Sequence, residues 1–193
     1  ILFKGISSSI KSKLRHLLFV FRLVALSLII TALARPQSRS SWKNTKTEGI
    51  DIVISMDVSL SMLAKDFKPN RIEVAKDEIL GFIDARPNDR LGLVLFGGQV
   101  FTQCPLTNDH KVLKNMIPNV KAGMLDQATA MGLGLADAVA RIKDSKAKSK
   151  VIILISDGVN NVGEISPLTA GELAKTYGVR VYCIGVGSKG KAL

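Results

Sequence analysis

Residues 150–158 read Lys150-Val151-Ile152-Ile153-Leu154-Ile155-Ser156-Asp157-Gly158. The five aliphatics predict a strand buried on both faces, because a strand with one wet face alternates apolar and polar residues. Strands of this kind belong to mostly parallel sheets covered by helices on both sides. The run Gly49-Ile50-Asp51-Ile52-Val53-Ile54-Ser55-Met56 reads the same way and ends in Asp57. Leu91–Phe96 is a third strand, closed by Gly97-Gly98, a pair that favours a tight hairpin turn into Gln99–Gln103. Val179–Val186 is a further strand.

Helical spacing separates these strands. In residues 71–85, Ile72, Ala75, Ile79, Phe82 and Ile83 fall on one face, and Asn70 is placed to cap it. A short helix capped by Asn108 or Asp109 stops at Pro118. A longer one is expected over 130–143, with Leu133, Ala136, Val139 and Ala140 inward. Ser166-Pro167 opens another that Gly178 closes. The predicted fold class is therefore α/β: a doubly wound, mostly parallel sheet flanked by helices, with the C-terminal end of the fold expected to be truncated.

Residues 17–34, LLFVFRLVALSLIITALA, are apolar on every side apart from Arg22, which predicts a transmembrane helix. Arg22 lies near one end, where it can snorkel to headgroups. The expected organisation is a basic juxtamembrane segment over 1–16, the helix over 17–34, a polar linker over 35–48, and the α/β domain over 49–193, incomplete at its C-terminus.

The charge supports this division. The chain carries a formal net charge of +11. Residues 1–49 hold nine Lys/Arg against one acid, Glu48, whereas residues 50–193 hold eighteen against fifteen. The excess flanks the apolar run, which suits lipid headgroups rather than nucleic acid. The two cysteines, Cys104 and Cys183, lie far apart, and the only histidines are His16 and His110, so a structural zinc cluster is excluded. Both cysteines are expected to be small buried hydrophobes.

In an open α/β sheet, ligands bind outside the carboxyl ends of the strands. Asp57-Val58-Ser59-Leu60-Ser61 follows the first strand, and Asp157 follows 151–155. Thr129 lies in the loop before the third helix. Two carboxylates and three hydroxyls are hard oxygen donors, suited to Mg²⁺, with Mn²⁺ or Ca²⁺ possible. A cation also relieves the repulsion between the two acids. Asp57 alone reads equally well as a cap, and Asp157-Gly158 alone as a turn; it is the combination that points to a metal.

This combination resembles the metal ion-dependent adhesion site of von Willebrand factor A-type domains, over roughly residues 49–190. The resemblance implies metal contacts from Ser59, Ser61 and Thr129, and direct or water-mediated ones from Asp57 and Asp157. Ala32-Leu33-Ala34-Arg35-Pro36-Gln37, Phe101–Thr107 and Lys150–Asn161 narrow it to the Bat (aerotolerance) proteins, BatA/BatB-like. One departure is Ala128, where that family often has Gly.

The function so implied is a membrane-anchored interaction module gripping an acidic group on a partner protein. Other Bat proteins and a MoxR-type AAA+ ATPase are candidate partners, residues 17–34 would contact lipid, and no nucleic acid is expected. The place implied is the bacterial inner membrane, with the domain periplasmic. The alternatives are a scaffold with a non-functional metal site and, third, a metal-dependent phosphoryl-transfer enzyme. Against the enzyme, Ser59 stands where an Asp-x-Asp phosphatase needs its second carboxylate. Gly185-x-Gly187-x-x-Gly190 matches a dinucleotide fingerprint in letters, but no helix visibly follows it.

Overall fold

The computed structural model describes residues 10–34, 49–158 and 160–187. The chain divides into two units, Ile1–Asn44 and Thr45–Leu193.

The first unit contains helix α1, Ile10–Leu33. From Leu17 onward its side chains are exposed all round, Leu33 at 78 % and Phe19 at 63 %. Among the described residues no helix is long and apolar enough to cross a membrane.

The second unit runs β1 (Asp51–Asp57), a 3₁₀ turn (Leu60–Leu63), α2 (Arg71–Asp84), β2 (Arg90–Phe96), β3 (Val100–Thr107) and α3 (His110–Met116). It continues through a second 3₁₀ turn (Ile117–Asn119), α4 (Met131–Ile142), β4 (Lys150–Ser156), α5 (Pro167–Thr176) and β5 (Val179–Gly185). The strands form one sheet in the order β3-β2-β1-β4-β5. All neighbours are parallel except β2 and β3, the expected hairpin. The predicted caps hold: the Asn70 side chain accepts from Glu73 N, and that of Ser166 from Thr169 N.

Side chains alternate across the sheet. Ile52, Ile54 and Met56 of β1 join Leu91, Leu93 and Leu95 of β2 in a core with Ile72, Ile79 and Ile83 of α2. Val53, Val94 and Ile152 face the other way, against Leu135, Val139 and Ile142 of α4 and Ala170 and Ala174 of α5. At the amino end of β1, buried Asp51 accepts from the Arg90 guanidinium, with Nε at 2.7 Å, and from the Ser145 hydroxyl. That bracket joins β1, β2 and the α4–β4 loop at the end of the sheet opposite Asp57.

Two expectations need correction. The buried face of α4 is only partly the expected Leu133, Ala136, Val139 and Ala140: Val139 lies in the core and Ala136 packs half-buried against it. Of these only Val139 is buried, together with Gly132, Gly134, Leu135, Ala138 and Ile142, and Ala140 is exposed. The helix lies down on its glycines: a Cβ on Gly134 would sit 2.5 Å from the Phe96 ring. Periodicity weighted by side-chain size looks past such a face.

The cysteines also differ from one another. Cys104 is buried in β3, and Cys183 is exposed on β5, beside exposed Tyr182 and Ile184. Desolvation pushes the Cys104 thiol up, with Asp109 adding to the effect. A maleimide in excess is therefore expected to label one thiol per native chain, Cys183, and both in denaturant. Native labelling at Cys104 would contradict this burial.

Candidate metal centre

β1 lies between β2 and β4, so its last residue opens at the centre of the sheet's carboxyl edge. There Asp57 is fully buried. Its Oδ1 accepts from Ser59 N at 2.9 Å, and its Oδ2 from Ser156 Oγ at 2.7 Å. The first bond turns the chain back over the carboxylate. Ser59 Oγ then lies 2.9 Å from Ser61 Oγ. Local hydrogen bonds gather the Asp-x-Ser-x-Ser side chains, and Ser156 of β4 holds the far oxygen of Asp57.

β4 brings the second carboxylate. Gly158 N donates to Ser156 Oγ at 3.2 Å, and Gly158 takes a φ of +95°, a conformation costly for residues with a Cβ. Asp157 Oδ2 accepts from Arg71 Nη1 at 3.2 Å. Its Oδ1 is buried and has no hydrogen-bond partner.

Thr129 is buried ahead of α4. Its carbonyl accepts from Asn161 N and Val162 N at 3.0 and 3.3 Å, and the next amide, Ala130 N, donates to Gly97 O at 2.7 Å. These bonds fasten the loop to the exits of β2 and β4. No hydrogen bond among the described residues joins the Thr129 hydroxyl to the other four side chains. The sharp twist of this loop falls at Asp126, φ +79°, the one left-handed non-glycine among the described residues. Ala128 needs no glycine-like backbone, which answers its departure from the Bat pattern.

Electrostatics frame what the site can hold. Burial raises the pKa of Asp57 from its ordinary value; hydrogen bonds from Ser59 and Ser156 oppose this, and the nearby charge of Asp157 adds to it. A buried carboxylate oxygen without a partner is costly, since an unsatisfied charged acceptor forfeits its hydration. Asp157 Oδ1 and the hydroxyls of Ser59 and Ser61 offer a divalent cation hard oxygen donors. Among the described residues no three His, Cys, Asp or Glu side chains are grouped so as to hold a metal ion, and the candidate donors gathered here are hydroxyls and carboxylates. Sequence reading gave no role to three neighbours of the site. Ser156 was read only as the residue between the strand and Asp157, Arg71 as the first residue of a helix, and Asn160, whose Oδ1 caps α4 at Met131 N (2.9 Å), as loop.

The family model of the von Willebrand factor type A domain matches residues 52–160. This chain belongs to the von Willebrand factor type A family. Among solved structures, this A domain is similar to an aerotolerance-related membrane protein from Bacteroides fragilis, at 32 % identity and TM-score 0.68 over 72 % of this chain and 68 % of that one. It is also similar to BatB from Bacteroides thetaiotaomicron, at 30 % identity and TM-score 0.67 over 75 % and 74 %. These likenesses place the A domain in the Bat group. Proximal thread matrix protein 1 of the mussel byssus, with zinc in its adhesion-site motif, is 27 % identical with TM-score 0.64, over 72 % of this chain and 36 % of that one. An uncharacterized protein of Borreliella burgdorferi is 34 % identical over 171 residues. The chain spans about half the length of the curated relatives it matches, 50 % in this case.

Proposed function

We propose that the domain is a metal-dependent protein–protein interaction module, in which Asp57, Ser59, Ser61, Thr129 and Asp157 hold Mg²⁺ and a carboxylate of the partner completes its shell. The observation that carries this reading is the buried, partnerless Oδ1 of Asp157 at the same sheet edge as the Asp57–Ser59–Ser61 cluster. Mg²⁺ demands six near-octahedral oxygens and keeps several waters, so a protein offering five donors leaves room for an outside ligand. The metal supplies charge and a directional contact. The protein fixes the donors and shields them from bulk water.

A protein partner is further supported by exposed apolar side chains close by. Leu60 and Leu63 protrude from the 3₁₀ turn directly after Ser59, and Leu60 lies over Gly123, next to exposed Met124. Such a rim beside a charged site fits a folded or peptide surface better than a small ion alone.

Nothing among these groups resembles a nucleophile with its base, so the reading is recognition rather than catalysis. The proposed setting is the bacterial inner membrane, with α1 held in lipid through its exposed apolar surface and the domain on the periplasmic side. Other Bat proteins and a MoxR-type ATPase are the proposed partners, in an envelope complex linked to stress tolerance.

The test is calorimetric titration of Mg²⁺, Mn²⁺ and Ca²⁺ into the detergent-solubilised chain, followed by a glutamate-bearing peptide with and without metal. Saturable Mg²⁺ binding and peptide binding that chelator removes are expected. Equal peptide binding in chelator would reject the bridging role. For the anchor, the chain is expected to float with anionic vesicles, and replacing Leu23, Leu26 and Ile30 by Asp should leave it at the bottom of the gradient. Flotation of that variant would reject α1 as the lipid contact.

A further inference from the structure

We infer that Arg71 is a positioning residue of the metal centre, acting through Asp157; the inference rests on the reading of that centre as a metal site. Arg71 is the first residue of α2, and its guanidinium is nearly buried. Nε and Nη2 each donate to Asp66 at 2.8 Å, one to each carboxylate oxygen. This fork-to-fork pair sets the plane of the guanidinium, because the group is rigid and planar. Once that plane is set, Nη1 can point in only one direction, and there it meets Asp157 Oδ2 at 3.2 Å. Gly187, beyond β5, packs against the same guanidinium, with a Cβ there lying 3.5 Å from Nη2.

The consequence for Asp157 is specific. One oxygen is committed to Arg71, so the carboxylate cannot swing, and the other stays buried and partnerless. Arg71 thereby presents Oδ1, and Oδ1 alone, to whatever cation the centre holds.

Two effects of Arg71 on metal affinity oppose each other. Its charge repels a divalent ion, so removing it would tighten binding if charge ruled. Its geometry orients a donor, so removing it would weaken binding if positioning ruled. The bidentate pair with Asp66 offsets most of the charge, whereas losing an outer-shell partner typically lowers metal affinity ~10–100-fold. Positioning therefore wins.

The experiment compares Mg²⁺ and Mn²⁺ affinities of the full detergent-solubilised chain, by calorimetry and by Mn²⁺ paramagnetic resonance at up to millimolar metal. The variants are Arg71→Ala, Arg71→Lys, Asp157→Asn and the double variant Arg71→Ala/Asp157→Asn. Arg71→Ala is expected to weaken binding at least ~10-fold. Arg71→Lys keeps the charge and the aliphatic stem but lacks the fork, and is expected to fail to restore affinity. It also guards against misfolding of the Ala variant. In the Asp157→Asn background, removing Arg71 is expected to change affinity less than about twofold, because the residue it works through is already disabled.

Unchanged or tighter binding in Arg71→Ala, wild-type affinity in Arg71→Lys, or additive losses in the double variant would each overturn the inference while leaving the metal site standing. Absence of binding in the folded wild-type chain would overturn both.

Discussion

Asp57→Ala is expected to remove saturable Mg²⁺ binding, a loss of roughly hundredfold or more, since even outer-shell changes cost ~10–100-fold. Peptide binding should vanish with it. The cause is the central place of this carboxylate: both oxygens are engaged at the sheet edge, and no other acid among the described residues hydrogen-bonds to Ser59 and Ser156. Asp57→Asn keeps the shape, leaves Oδ1 to accept from Ser59 N, and separates metal loss from misfolding.

Without metal, this carboxylate is a burden. Its pKa is raised in the fold, chiefly by burial, so the native state holds a proton that the unfolded chain has already released. The contribution of Asp57 to the stability of the chelated protein should therefore fall as pH rises from its ordinary value through the raised native one. In Asp57→Asn that decline should disappear, and the melting temperature in chelator at neutral pH should match or exceed that of the wild type. Saturating metal reverses the comparison, since a ligand at 100 times its Kd adds ~2.7 kcal/mol to the wild type and nothing to a variant that cannot bind it. Melting in chelator and in Mg²⁺, for both proteins across pH, checks the pattern. A wild type that gains stability relative to Asp57→Asn as acid-range pH rises in chelator would contradict it.

The second large effect is expected at Gly134. Helix propensity alone says that Ala here should stabilise α4 by ~1 kcal/mol. Packing says the opposite. The added methyl would lie 2.5, 2.6 and 2.8 Å from Phe96 Cγ, Cδ1 and Cβ, and Phe96 is itself fully buried. Overpacking a close-packed interior costs ~1–3 kcal/mol, and here the ring has no free volume to enter. With helix and strand also joined by Ser55 Oγ donating to Gly134 O at 3.1 Å, α4 cannot drift outward freely. A net loss of about 2 kcal/mol is expected, lowering the melting temperature by ~4–8 °C for a domain of this size. Gly81→Ala, on the exposed side of α2 with nothing near its missing Cβ, is the matched control and should gain slightly. A stabilised Gly134→Ala would show that α4 rides more loosely on the sheet than its contact with Phe96 implies.

The contrast between these two glycines shows what a sequence discloses. Both are letters inside a helical pattern, and only the tertiary approach of β2 separates them. The sheet strands were legible because Val151–Ile155 and Ile52–Ile54 carry their burial in their composition. The clustering of Asp57, Ser59 and Ser61 was legible because they lie within five positions and meet through short-range hydrogen bonds. The α4 face was misread because its inward residues are small. Cys183 was misread because apolar composition in Val179–Gly185 does not reveal that β5 ends the described sheet. Arg71 was invisible as a site residue because its meeting with Asp157 spans 86 positions of sequence.

The order of strands has a consequence for biosynthesis. Asp57 meets Ser156 across a separation of 99 residues, and β1 acquires its second neighbour only when β4 arrives. At ~5–20 residues per second, that is roughly 5–20 s of translation after Asp57 is made. Throughout that interval the nascent chain carries the Asp-x-Ser-x-Ser cluster but lacks its counterpart carboxylate. On the proposed function, a chain interrupted before β4 would have no grip to offer, so a partner that binds only the finished centre would receive, in the same contact, a certificate that synthesis went past residue 157.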